Sequence, residues 1–161
     1  MTPAELKTTR EACGLSVPDL AALAGVQERT VRYWESGHTA VPDDVAETVQ
    51  RIDAMLTQAA DQAVAQVREL QAQHGSVPEE IVLLRYPSTA DLHLYQPEMR
   101  PLPATCHAAM LYRTRSALAD LHVPSRIIYM DPAAYSAWLG RRKDTEAQRS
   151  AWAALQPVGE E

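Results

Sequence analysis

The chain has 161 residues, 46% of them apolar, which allows one larger core or two small ones, and it has no run of about 18 apolar residues that would span a membrane. A net charge of −6 argues against a generic polyanion binder, although a sequence-specific DNA reader needs only a local basic patch. The two cysteines, Cys13 and Cys106, form no CxxC pair, and the N-terminus lacks a basic-then-apolar leader, so a reduced cytoplasmic protein is expected.

Thr2-Pro3-Ala4-Glu5 predicts a helix start, with Thr as cap, Pro at the first helical position and Glu closing a capping box. Leu6 leads an apolar face through Ala12 and Cys13, and Gly14 supplies the stop. Ser16-Val17-Pro18-Asp19 repeats the capping pattern and opens a second helix carrying Leu20, Ala21, Leu23 and Ala24. Gly25 allows a tight turn, and a third helix runs from about Gln27 to Ser36, closed by Gly37. Two short helices around a glycine turn, with a helix before and a helix after, make a helix-turn-helix signature. Leu20, Ala21, Val26, Val31 and Trp34 form its inner face. Pro42, Asp43 and Asp44 start the next helix. Apolar residues at Val45, Val49, Ile52, Leu56, Ala59, Ala63, Val67 and Leu70 extend it to about Gln73, with a break near Thr57 left open. Its Ala- and Gln-rich second half either packs on its own chain or forms a dimer seam.

His74-Gly75-Ser76 marks a boundary, dividing the chain into residues 1–73 and 76–161. Ile81 to Tyr86 predicts a strand, and Leu92 to Tyr95 a second strand or a helical turn. Pro97, Pro101 and Pro103 make a stiff loop. A helix from about Ala104 to Leu121, a strand from Arg126 to Met130, a helix capped by Asp131-Pro132 and broken at Gly140, and a last helix from Asp144 to Leu155 complete the chain. The expected class is α+β: an all-α, five-helix-type N-terminal helix-turn-helix domain, then a small α/β C-terminal domain. Tyr112, Tyr129, Tyr135, Trp138 and Trp152 are expected in the C-terminal core or in a dimer interface. His93, Cys106, His107 and His122 do not match a zinc spacing, and Cys106 and His107 diverge on a helix, so no metal and no cofactor is expected. Arg141-Arg142-Lys143 reads as a solvated loop, or as extra phosphate or partner contacts. No nucleophile triad, phosphate loop or carboxylate pair is present, so no enzyme is expected.

Arg10, Gly14, Leu15, Ser16, Leu20, Ala21, Gly25, Val26, Thr30, Val31, Trp34, Glu35 and Gly37 stand at intervals by which residues 4–56 resemble the phage-repressor (Xre/Cro-type) helix-turn-helix family. The segment YWESGHTAVPDDV is similar to the same stretch of YdiL-like and anti-CRISPR-associated regulators, which join such a domain to a C-terminal α/β dimerisation domain. The resemblance implies a homodimer on an inverted repeat in a promoter, usually repressing its own operon. It also implies that Trp34 anchors the third helix from inside, and that Arg10 and Glu35 pair structurally across the first and third helices.

On that third helix the exposed residues are Gln27, Glu28, Arg29, Arg32 and Tyr33, the expected base readers. Arg29 or Arg32 can grip guanine O6 and N7, Glu28 can accept from cytosine N4, and Gln27 can bond a base or a phosphate. Ser16, Val17, Thr30, His38 and Thr39 are the expected DNA-backbone contacts, Thr30 alternatively reaching a thymine methyl. A plain solvated helix face is the competing reading. Residues 1–56 hold five Lys and Arg against nine Asp and Glu, which predicts modest non-specific affinity and a shallow salt dependence. Two other readings stay open. One is an antitoxin whose C-terminal domain binds a co-encoded protein partner. The other is a ligand sensor, for which the sequence shows no pocket chemistry.

Overall fold

The ends of the first three helices are set by their own side chains. In the computed structural model, which describes residues 1–76 and 79–157, α1 spans Pro3–Ala12, α2 Val17–Ala24 and α3 Glu28–Glu35. Thr2 caps α1 and Ser16 caps α2, each in a reciprocal box with the acid three residues on, Glu5 and Asp19. Gly37 ends α3 in a left-handed conformation, φ 75°. There the Gly37 amide donates to the Trp34 carbonyl at 3.1 Å and the His38 amide to the Tyr33 carbonyl at 2.9 Å, a complete Schellman motif. Leu6, Leu20, Ala21, Val31 and Trp34 are buried together with Val45 and Val49 of the next helix, and Val26 packs against them half-buried. This is the inner face that the sequence predicts.

That next helix, α4, is continuous over Asp43–His74, so the fourth and fifth helices of a five-helix plan are here one rod. The remaining elements are β1 (Ile81–Arg85), α5 (Thr89–Tyr95), a 3-10 turn (Pro97–Met99), α6 (Ala104–Asp120), β2 (Ser125–Tyr129), α7 (Pro132–Leu139) and α8 (Glu146–Ala154). β1 and β2 pair in parallel, from Ile81 opposite Ser125 to Arg85 opposite Tyr129. Parallel strands need a long crossover, which α5 and α6 supply. Leu92 to Tyr95, legible as strand or turn, belongs to helix α5, whose start is fixed by Ser88 accepting from the Asp91 amide. The chain is thus α+β, with the all-α segment first.

The break left open at Thr57 does not occur. Thr57 Oγ1 donates back to the Asp53 carbonyl at 3.0 Å, and Arg113 of α6 binds Thr57 Oγ1 at 2.8 Å and that carbonyl at 3.0 Å. Arg113 also pairs with the Asp53 carboxylate at 2.7 Å and reaches the Ala12 carbonyl at 3.2 Å, tying α1, α4 and α6 together. The second half of α4 packs on its own chain, with Val67 buried beside Leu118 and Val123, while Leu70 stays 40% exposed. A larger core joins Cys13 and Leu15, from the turn between α1 and α2, and Ile52 and Leu56 of α4 with Tyr86, Leu92, Cys106, Met130, Tyr135 and Trp152.

The aromatic residues divide. Tyr135 and Trp152 are buried edge to face at 5.8 Å, and Trp138 carries the Arg142 guanidinium 3.9 Å over its ring. Tyr112 and Tyr129 lie outside the core, 73% and 63% exposed. On α6 the buried stripe is His107, Leu111, Thr114 and Leu118, and helical geometry turns position 112 away from it.

His107 is buried against the Tyr86 ring at 5.1 Å, and burial, aided by Arg85, pushes its pKa down to about 4. The unfolded chain therefore binds one more proton than the folded chain between about pH 6.5 and 4, and folding weakens as pH falls through that window. Urea melts across this range are expected to show the wild type losing stability relative to His107→Leu; a constant difference would contradict it.

Candidate nucleic-acid interface

Trp34 and Val31 turn one side of α3 into the core and leave Glu28, Arg29, Arg32 and Tyr33 on the other, exposed. Gln27, at the cap position, is exposed and makes no capping bond with its side chain, so its amide is free to meet a base or a phosphate. Thr30 lies half-buried at the flank. An open concavity between α2 and α3 is lined by Ala22, Gln27, Arg29 and Arg32.

Two pairings organise this face. Arg32 bonds Glu28 at 2.9 Å across one helical turn, with both side chains well exposed. Such a pair adds about 0–1 kcal/mol to stability, so Arg32 is released at little cost when a base or phosphate presents itself. The Arg29 guanidinium stands 5.8 Å from the Tyr33 ring centre, and the Tyr33 ring is 4.8 Å from that of His38. Arg29, Tyr33 and His38 thus form a row along the exposed side of α3 and the turn that follows it. This row escaped the reading of the sequence. Its signals were the four-residue spacing of Arg29 and Tyr33 and the left-handed Gly37 that folds His38 back.

The DNA-backbone set is less uniform. The His38 and Thr39 amides both donate to the Tyr33 carbonyl, at 2.9 and 3.3 Å, so only their side chains remain for phosphate. The Ser16 amide and hydroxyl both engage the Asp19 carboxylate, which a phosphate would have to displace. Pro18 has no amide proton, and the Val17 amide, in the first turn of α2, has no acceptor within the helix.

Arg10 and Glu35 are paired, Nε to Oε1 at 2.5 Å and Nη2 to Oε2 at 3.3 Å, with both side chains under 10% exposed. Arg10 Nη1 also donates to the Leu15 carbonyl at 2.7 Å. The pair locks the C-terminal end of α3 to α1 and leaves Arg10 no reach toward DNA. It also neutralises Glu35, both charges being already in the count for residues 1–56, whereas Arg113, from outside that segment, neutralises Asp53 and makes the balance one charge less negative.

Of the residues weighed for a metal, His93 bonds the Leu102 carbonyl at 2.8 Å, Cys106 and His107 are buried, and His122 is exposed at φ 57°. Among the described residues no three His, Cys, Asp or Glu side chains come together as a metal site.

Residues 4–65 match the family model of a helix-turn-helix domain, a span that covers α1 to α3 and much of α4. That part of the chain is a helix-turn-helix domain. No curated protein matches the chain. Among the described residues no helix is long and apolar enough to cross a membrane.

Proposed function

We propose that the chain is a non-enzymatic, sequence-specific DNA-binding transcriptional regulator, related to the Xre/Cro-type and YdiL-like regulators. It acts in the cytoplasm as a homodimer on an inverted repeat in a promoter, repressing that promoter and with it its own operon. The observation that carries this reading is the matched helix-turn-helix domain whose third helix is anchored by Trp34 and holds Arg29 and Arg32 clear of the core. Residues 1–73 read DNA, with Gln27, Glu28, Arg29, Arg32 and Tyr33 at base edges and Val17, Thr30, His38 and Thr39 along the phosphates. Ser16 joins the second group only if Asp19 releases it.

Residues 76–161 serve as the dimerisation domain and set the two reading helices about 34 Å apart, one turn of duplex. Supporting this are the exposed Tyr112 and Tyr129. The same exposed tyrosines favour a second reading, an antitoxin whose C-terminal domain binds a co-encoded protein while the helix-turn-helix autoregulates the operon. Co-expression with the product of the adjoining gene separates the two: a stable heteromeric complex supports the antitoxin.

Arg29→Ala and Arg32→Ala are each expected to cost about 1–3 kcal/mol of specific affinity for a duplex selected by the wild-type protein. Both residues are exposed, so circular dichroism melts should be unchanged. Wild-type affinity in both variants would overturn the base-reading assignment.

A further inference from the structure

A cavity of about 240 Å³ lies between α4, β1, α6 and α8. His107 lines it, 2% exposed, and its Nδ1 is buried without a hydrogen-bond partner. Buried polar atoms in folded proteins are almost always paired, so an orphaned imidazole nitrogen at the wall of a cavity calls for a partner. Around it stand Gln62 and Gln66 of α4, Gln96 from the end of α5 and Thr114 of α6, side chains that both donate and accept. Between these polar groups the walls are apolar, from Ala63, Leu84 and Met110. A hollow lined by about as much polar as apolar surface, with side chains that both donate and accept, can hold a small molecule of the same mixed character.

We infer that this cavity binds a small, uncharged molecule carrying both hydrogen-bond donors and acceptors, of the carboxamide or nucleobase type, with one donor or acceptor on His107 Nδ1. Charge argues against the alternatives. The one guanidinium on the rim, Arg149, is held by Asp144 at 2.6 Å with Glu146 beside it, so no unspent positive charge is left for an anion. A cation at the imidazole would meet the field of Arg85, which lies close enough to His107 to disfavour its protonation. Burial keeps the imidazole neutral too, so it offers one donor or one acceptor and no charge. An adjoining hollow of about 430 Å³ shares Ala59, Gln62, Gln96, Met110, Glu146 and Arg149 with the cavity. The small side chains of Ala59 and Ala63 keep the α4 wall open. None of this depends on DNA binding.

The test is a titration of the full chain, labelled at histidine with nitrogen-15, by nicotinamide and by cytosine to about 10 mM, ample for a fragment that binds near 1 mM. Nicotinate and benzamidine serve as the charged controls. The expected result is a saturable shift of the His107 Nδ1 resonance with the neutral probes, and binding at least about tenfold weaker in His107→Phe and in Ala63→Met, which fills the cavity from α4. No saturable shift with either neutral probe would mean a hollow that holds water only and would overturn the site. Equal binding in Ala63→Met, or tighter binding of nicotinate or benzamidine than of nicotinamide, would overturn it as well. If His107→Phe does not fold, the Ala63→Met comparison decides.

Discussion

Replacing Arg10 with alanine is expected to cost about 3–5 kcal/mol of folding stability, the range for removing one partner of a buried ion pair. Glu35 would be left with its side chain only 9% exposed and no cation, and the Leu15 carbonyl would lose its donor. Against a total stability of about 5–15 kcal/mol, such a loss brings the helix-turn-helix close to unfolding at room temperature. The cause is an uncompensated charge, so replacing both partners with apolar residues is expected to recover most of the loss. Urea unfolding of Arg10→Ala, Glu35→Gln and the double variant Arg10→Met/Glu35→Met reads this directly. A loss below about 1 kcal/mol in Arg10→Ala would show that the pair is not buried in solution.

Gly14→Ala is expected to be nearly as damaging, for a different reason. Gly14 holds φ +71°, and a β-carbon there would lie 2.3 Å from the Thr105 carbonyl oxygen and 2.7 Å from its carbon. The obstacle is backbone at the start of α6, which cannot swing aside as a side chain can. A left-handed alanine costs about 1–2 kcal/mol. Forcing apart a packed contact adds about 1–3 kcal/mol. Gly25→Ala is the control, since Gly25 has φ +65° but nothing within 4 Å of an added β-carbon, so only the conformational cost applies. Thermal unfolding of the two variants should therefore differ clearly. Equal losses would show that the turn between α1 and α2 does not rest on α6.

What was legible in the sequence is what local chemistry decides. The capping boxes Thr2–Glu5 and Ser16–Asp19 and the stop at Gly37 fix α1 to α3 within a few residues of each end. Val31 and Trp34 fix which side of α3 faces the core. The spacing along α4 gave its length, but an Ala- and Gln-rich seam does not say what will cover it. The cover is α6, attached through Arg113, whose partners lie 56 to 101 residues away in sequence. For Tyr112 the sequence left core and dimer interface open, and its place on α6, off the buried stripe, removes the core. The cavity beside His107 left no trace in the sequence, because Gln62, Leu84, His107 and Arg149 belong to four separate elements. On α3 the base-reading candidates were legible as exposed polar positions. The stacking of Arg29, Tyr33 and His38 needed the folded turn at Gly37.

The central claim, that α3 reads DNA as one of a symmetric pair, is tested most directly by selecting bound duplexes from a random library with the purified full chain at modest salt and sequencing them. The predicted result is an enriched palindromic motif whose half-sites are centred about 34 Å apart, one turn of duplex. Enrichment of no motif would contradict sequence-specific reading by Arg29 and Arg32.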